Sequence, residues 1–277
     1  MVLVFFYDYA KHIDKRLIFY DKIFNIRYAL QLKKEGDNMQ ANSSDKFAGK
    51  GISGSTLKWI AMITMIIDHF AVGIFIPMME AGQLSTFDYS SVYTAYTISR
   101  AIGRLAFPIF CFLLVEGFFY TSNVKKYAIR LGIFAIISEV PFNLVIDQTF
   151  WNLGYQNVFF TLLIGLVTIW SMSKVENNFL KLIPALLGIV LAELLHTDYG
   201  AFGVLLIAVL YQYRELRLWQ SIIGGLMVAW EITAPISFVL SYFYNGLKGR
   251  YNAKWLYWIY PVHLLIFGLI GRAILNA

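Results

Sequence analysis

Charge is scarce in this chain. Asp, Glu, Lys and Arg supply 14% of its 277 residues while hydrophobic residues supply 58%, and the mean hydropathy is +0.60. A soluble domain of this length carries about a quarter charged residues, so that class is excluded and an integral membrane protein is implied. Cysteine is almost absent. Cys111, the single copy, lies inside an apolar run, which rules out an intramolecular disulfide and any cysteine metal cluster; no metal is expected. The N-terminus also lacks a secretory pattern, because Asp8, Lys11, Asp14, Lys15 and Arg16 interrupt its apolar start. The formal charge of +6 is not gathered into one basic patch; it is scattered in twos and threes between hydrophobic runs, so no nucleic-acid partner is expected.

What is present is apolar sequence in continuous runs. Lipid permits only helices or closed barrels as spanning structures, and runs without polar alternation favour helices. The expected fold is all-α: a polytopic helix bundle in the cell membrane. Nine segments qualify, at 57–79, 101–120, 128–146, 157–173, 179–195, 200–213, 218–231, 234–246 and 255–274. The sixth to eighth are short for a full crossing, which makes the count eight or nine.

The connections carry an orientation signal. With the N-terminus in the cytoplasm, one side collects Lys46, Lys50, Lys58, Lys125, Lys126, Arg130, Lys174, Lys181, Arg214, Arg217, Lys248, Arg250 and Lys254. The opposite connections, 80–99, 147–156, 196–199 and 232–233, contain no Lys or Arg. Short cytoplasmic loops are enriched in these residues, so nine spans with an inner N-terminus are expected. Arg100, Arg104 and Arg272 are exceptions that snorkelling near span ends accommodates. Residues 1–56 form a cytoplasmic segment of different character. The stretch Lys33-Lys34-Glu35-Gly36-Asp37-Asn38-Met39 is encodable by a ribosome-binding sequence ahead of a start codon, so Met39 is the expected native start and 1–38 upstream sequence.

Charges inside spans are costly and mark candidate sites. Asp68 and His69 stand side by side in "TMIIDHF", and adjacent helical side chains diverge by about 100°, so the two do not simply neutralise each other. At about 1.5 Å of rise per residue, His69 lies roughly 16 Å beyond Lys58, Glu139 roughly 14 Å beyond Arg130 and His263 roughly 14 Å beyond Lys254, which predicts one shared layer. Glu116 lies about 18 Å from Arg104 along the helix axis, too far to pair. Arg104 therefore needs an acid such as Asp88, Glu193, Asp198 or Glu231, and Glu116 a base such as Lys126, Arg130 or Arg250.

The stretches "LKWIAMITMIIDHF", "ISRAIGRLAFPIFCFLLVEGFFYTSNVKKYAIRL", "ISEVPFNL", "NVFFTL", "YNGLKGR" and "YPVHLLIF", in that order across 57–275, resemble the TraX family of membrane proteins, named for the conjugation protein that acetylates the N-terminus of F pilin. The family is itself similar to multi-span acyltransferases, including the lysosomal enzyme that acetylates heparan glucosamine and the bacterial acyltransferase-3 group. The resemblance implies acetyl transfer from cytosolic acetyl-CoA to an amine or hydroxyl acceptor, a pilin-like peptide or a cell-surface glycan, at or across the membrane.

On that implication His69 is the expected general base or acetyl carrier, with Asp68 orienting the site or raising the basicity of a neighbour such as His263, and Glu139 in the same catalytic layer. Arg100 and Arg104 are expected to hold an anionic acceptor or structural acids near the outer mouth. Glu116, Lys126, Arg130 and Arg250, with Asn245 and Gly246 of "YNGLKGR", are expected at the inner entrance, where basic groups and a glycine turn meet the phosphates of the donor. Two other classes are compatible with the same polar layer: a proton-coupled permease and a non-catalytic membrane assembly factor.

Overall fold

The computed structural model describes residues 51–82, 84–249 and 256–277. The expectations for 1–50, including the start at Met39, and those for Arg250 and Lys254 fall outside the described residues.

Among the described residues the secondary structure is helical apart from turns and two isolated bridges, Ile52 to Tyr244 and Gln156 to Thr197. The helices are α1 (Gly54–Phe70), α2 (Ile76–Glu80), α3 (Thr86–Gly103), α4 (Ala106–Tyr120), α5 (Val124–Ile146), α6 (Val158–Met172), α7 (Leu182–Leu194), α8 (Gly200–Gln212), α9 (Arg217–Met227), α10 (Ile236–Tyr242) and α11 (Leu256–Leu275), with a π-helical turn at Ala71–Phe75 joining α1 to α2. Four helical stretches are long and apolar enough to cross a membrane: Gly54–Glu80, Thr86–Tyr120, Val124–Ile146 and Leu256–Leu275. Three further apolar helices, α6, α7 and α8, are shorter.

The π turn has a visible cause. Pro77 carries no N–H for the carbonyl four residues earlier, at Gly73, so the α ladder cannot run straight through. Contact with α11 depends on this distortion: a β-carbon on Gly73 would lie 2.9 Å from Phe267 Cβ, and one on Gly271 would strike the Gly73 carbonyl. The widened turn begins two residues after His69, and such bulges are frequent at functional sites.

One expected connection is a helix instead. Residues 86–103 are helical although they read as part of the loop 80–99, and the second span is thereby extended toward its N-terminus. Ser85 caps the helix through the Asp88 amide, and Ser91, Thr94 and Thr97 donate to the carbonyls of Phe87, Ser90 and Tyr93. Hydroxyls that bond back to their own helix remove the polarity that made the stretch read as a loop.

The short helices run between two polar levels. Arg214 and Arg217, between α8 and α9, meet Glu116 near the end of α4. At the far end of α9, Glu231 meets Arg104, and Thr233 donates to the Ala101 carbonyl. The chain then returns through α10 to Tyr244, whose ring meets Phe112 at 5.5 Å. So α9 and α10 form a hairpin whose tip lies at the Arg104 level and whose open end lies at the Glu116 level. Likewise α8 starts beside Phe107, with Tyr199 stacked on that ring at 3.6 Å, and finishes at Arg214.

Candidate functional site

At the Arg104 level, α1, α3 and α11 bring together the central group. His69 Nδ1 lies 2.7 Å from His263 Nε2, and His263 Nδ1 lies 2.5 Å from the Ile259 carbonyl one turn earlier in α11. A carbonyl only accepts, so the hydrogen on His263 is at Nδ1 and its Nε2 is the acceptor. His69 must then donate from Nδ1, which leaves the lone pair of His69 Nε2 uncommitted. His263 is buried and His69 partly exposed, so the open nitrogen belongs to the less enclosed of the two histidines. Tyr260 and Phe267 fix the rings edge-on: Tyr260 is 5.7 Å from His69 and 5.9 Å from His263, and Phe267 is 5.7 Å from His263.

Of the three residues expected in one layer, the structure brings His69 and His263 into direct contact. Other expectations need correction. Asp68 touches neither histidine; its Oδ2 takes Arg100 Nη1 at 2.5 Å, because the divergence of adjacent side chains that turns His69 toward α11 turns Asp68 toward α3. Gly103 makes room for it, since a β-carbon there would coincide with the Asp68 carboxyl. Glu139 does not join the histidines directly. Asn157 Nδ2 donates to Glu139 Oε2 at 2.6 Å and to the Ala135 carbonyl at 2.7 Å, tying α5 to the start of α6.

Arg104 is paired with Glu231 at 3.2 Å, one of the four acids considered for it, and Tyr199 presents its hydroxyl to the same guanidinium. Of the two roles expected for Arg100 and Arg104, the structure shows them holding protein acids, Asp68 and Glu231. Asp198 completes the level. It takes the Tyr155 hydroxyl at 2.7 Å, and its own carbonyl accepts from Thr161. Burial, reinforced by the charge of Asp68, pushes the Asp198 carboxyl up to about 6 from 3.8, against the Tyr155 hydrogen bond and the pull of Arg100 and Arg104.

At the other level Glu116 is paired, but not with Lys126, Arg130 or Arg250. Arg214 Nε and Nη2 lie 3.2 and 3.4 Å from its two oxygens, and Arg217 Nη2 lies 3.5 Å away. Arg214 also stacks over Phe119 and Arg217 over Phe112 and Tyr244, so each cation has a ring on one side and the carboxylate on another. Lys126 is exposed and its backbone amide is capped by Asn123. Arg130 lies between the rings of Tyr127 and Tyr257, at 5.5 and 5.3 Å, and within electrostatic reach of Lys58, as is Lys248.

Asn245 and Gly246 serve the backbone. Asn245 Nδ2 donates to the Gly51 carbonyl and Oδ1 accepts from the Leu247 amide, while Gly246 takes φ +75°, a left-handed value suited to glycine. Amide bonds from Ile52, Gly54 and Ser55 to the carbonyls of Phe243, Leu247 and Lys248 zip this turn onto the start of α1. The loop thus places Lys248 within electrostatic reach of Lys58 at the N-terminal end of α1.

Several site residues escaped the reading from sequence. Arg214, Arg217, Asn157, Tyr155, Tyr199 and Tyr260 each contact a titratable group, and for most the signal was weak. Asn157 had one: it stands in front of the apolar run of α6 as an N-cap, its Oδ1 accepting from Phe159. Among the described residues no cluster of His, Cys, Asp and Glu suited to hold a metal ion occurs.

The fold and the polar levels define an all-helical membrane protein with two histidines in contact between its helices. The TraX protein family matches residues 53–271, and the chain belongs to it. The chain is also similar to the probable fimbrial assembly protein FimC, serogroup H1, of Dichelobacter nodosus, 30% identical over 245 residues that cover 77% of this chain and 93% of that protein. No solved structure matches the chain.

Proposed function

We propose that this protein is a multi-pass acetyltransferase of the cell membrane, with its N-terminus in the cytoplasm, that uses cytosolic acetyl-CoA to acetylate an amine or hydroxyl acceptor. The observation that carries the reading is the His69 to His263 contact at 2.7 Å, because its hydrogen-bond polarity leaves His69 Nε2 as an uncommitted base on the less enclosed of the two rings. The naming of the Dichelobacter relative as a fimbrial assembly protein favours a pilin-like polypeptide over a glycan as acceptor.

In the reaction His69 Nε2 removes a proton from the acceptor, whose nitrogen or oxygen attacks the thioester carbonyl. The new C–N or C–O bond forms, the C–S bond breaks, and the thiolate of coenzyme A leaves and is protonated. His263 holds the imidazole in the productive tautomer and spreads the imidazolium charge over two rings. Asp68, clamped by Arg100, sets the side of α1 that faces α3 and so fixes the direction of His69. The donor's phosphates are assigned to Lys58 near the start of α1 together with Arg130 and Lys248, each of which lies within electrostatic reach of it. From Lys58 to His69 the helix rises roughly 16 Å, a distance for the extended arm of the donor to cover.

Purified protein in nanodiscs, given acetyl-CoA and a peptide with a free N-terminus, should release coenzyme A and acetylate the peptide. His69→Ala should lower the rate by about 10²- to 10⁴-fold, the usual worth of a positioned base, while leaving the thermal unfolding profile in place. A protein that transports but does not transfer would release no coenzyme A, and full activity of His69→Ala would remove that residue from the mechanism.

A further inference from the structure

The helices of this protein are unequal in length, and the short ones stand together. Helices α6 to α10 have 15, 13, 13, 11 and 7 residues, so at about 1.5 Å per residue the longest of them rises roughly 22 Å. The helical stretches Gly54–Glu80 and Val124–Ile146 have 27 and 23 residues, which rise roughly 40 and 35 Å. The hydrocarbon core of a bilayer is about 30 Å thick, so the second set reaches across it and the first does not.

Named contacts fix where the short helices end. The head of α6 and the turn from α7 to α8 are joined by the Gln156 to Thr197 bridge and the Tyr155 to Asp198 hydrogen bond, and Tyr199 stacks on Phe107, one turn past Arg104. The tip between α9 and α10 is held by Glu231 on Arg104 and by Thr233 on the Ala101 carbonyl. Arg100, one turn before Arg104, holds Asp68 beside His69. These tips therefore end at the depth of the histidine pair. Helices α2 and α3, packed on each other, go on past it: Glu80 lies 12 residues after Asp68 and Thr86 lies 14 before Arg100, roughly 18 and 21 Å further.

The surface of the short set marks where lipid stops. Helix α7 packs against α6 and α8 and turns Leu182, Ile183, Leu186, Leu187, Val190 and Leu194 outward, each 52–70% exposed. Lys181 bounds this stripe at one end; at the other, Glu193 and His196 are exposed. His196 follows Lys181 by 15 residues, so the stripe is at most roughly 22 Å tall. A carboxylate and an imidazole facing acyl chains are costly, which puts the water boundary beside them. Trp230, 63% exposed next to Glu231, stands at the same tip level, and tryptophan is enriched at membrane–water interfaces. Tilting fits a long helix to a thin bilayer, but nothing lets a short helix cross a thick one.

We propose that this protein holds the bilayer thin on one side: around α6 to α10 the phospholipid acyl chains span roughly 20 Å instead of about 30 Å, and the water boundary comes down to the depth of Asp198, Glu231 and the histidine pair. The inference needs no acetyl transfer. Under the acetyltransferase reading, its consequence is that an acceptor in the water phase meets His69 without crossing half a membrane.

The test uses the full chain in nanodiscs, whose two faces both meet solvent, with the wild type as control because its single cysteine, Cys111, is buried. Ile232→Cys puts a thiol at the α9–α10 tip, at a position 91% exposed, and Val262→Cys puts one beside His263 on α11, at a position 49% exposed. A membrane-impermeant maleimide should label Ile232→Cys about 10-fold faster or more, because a thiol among acyl chains does not ionise. Labelling at equal rates overturns the inference. Should Ile232→Cys fail to fold, Leu194→Cys takes its place with the same expectation.

A recess walled by protein and filled with water would also label the tip, so lipid length is varied as well. In phosphatidylcholines with chains from about 14 to about 22 carbons, Tm should fall as the chains lengthen. Glu193→Leu combined with His196→Leu lengthens the apolar stripe by about one turn and should shift the highest Tm toward longer chains. A Tm indifferent to chain length, or highest in the longest chains, overturns the inference. Neither readout involves acetyl transfer, so a protein that transfers none can still pass both, and one that transfers acetyl can fail both.

Discussion

The carboxyl of Asp68 occupies the space that a β-carbon on Gly103 would take, so the helix bearing Arg100 approaches α1 only because residue 103 has no side chain. Two consequences meet there. The Asp68 to Arg100 pair fixes one face of α1, and the next residue along, His69, is thereby turned toward α11.

Gly103→Ala is accordingly expected to push Asp68 off Arg100 and to rotate His69 away from His263. A misplacement of about 1 Å at a reacting group can cost about 10²-fold in rate, and the loss should fall on kcat rather than on the KM for acetyl-CoA. Steady-state kinetics with the peptide acceptor check it. Gly103→Ala with normal kcat would show that α1 and α3 part without disturbing the histidines.

His263→Gln retains an oxygen that accepts from His69 Nδ1 but cannot share a proton. Its expected effect is a kcat lower by about 10²-fold with His69 still in place, whereas His263→Phe should also lose the tautomer and fall further. Comparing the two substitutions in the same transfer assay separates orientation from proton sharing; equal losses would assign everything to orientation.

At the opposite level Glu116 is buried between two arginines. Glu116→Ala leaves Arg217 without a carboxylate and Arg214 with only the exposed Glu215, and breaking a buried pair by removing one partner costs about 3–5 kcal/mol. The measurement is Tm in detergent, with a marked fall expected. Triple replacement of Glu116, Arg214 and Arg217 by apolar residues of similar volume should recover much of the stability, because it leaves no stranded charge.

Asp198, in the connection between α7 and α8, gives a dependence on pH. Its carboxyl is raised to about 6 from 3.8, chiefly by burial. The folded state therefore holds this proton more tightly than the unfolded chain does. The resulting stability is fully present below about pH 4 and is lost as pH rises through about 6. Asp198→Asn, whose oxygen still accepts from Tyr155, should be more thermostable than the wild type at pH 7.5, with the difference shrinking at pH 5. A difference independent of pH would show that Asp198 is not the group titrating.

The long apolar helices were legible because composition alone forces them, and so was the common level of His69 and His263, which follows from rise per residue. Azimuth was not. Nothing in "TMIIDHF" says that Asp68 faces α3 and His69 faces α11, and the orientation of "YPVHLLIF" depends on how α11 packs against the π turn. Partner choice failed for the same reason. Arg214 and Arg217 were visible as charges in a connection, but their pairing with Glu116 requires knowing that α8 and α9 flank α4. Helix α3 was missed because its Ser, Thr and Tyr residues read as loop until their hydroxyls are seen to bond within the helix. The π turn did leave a trace in the proline at 77, four residues after Gly73.

The Ile259 carbonyl sets the direction of the whole histidine relay, and it is main chain. Any amino acid at position 259 supplies the same oxygen, so no single substitution there deletes it. A relay anchored on a carboxylate could be silenced or retuned by changing one side chain; one anchored on helical backbone has no such handle. Drift in the side chains around it can alter what reaches His69 and how fast, while the nitrogen that stays open for chemistry remains His69 Nε2 for as long as α11 is a helix.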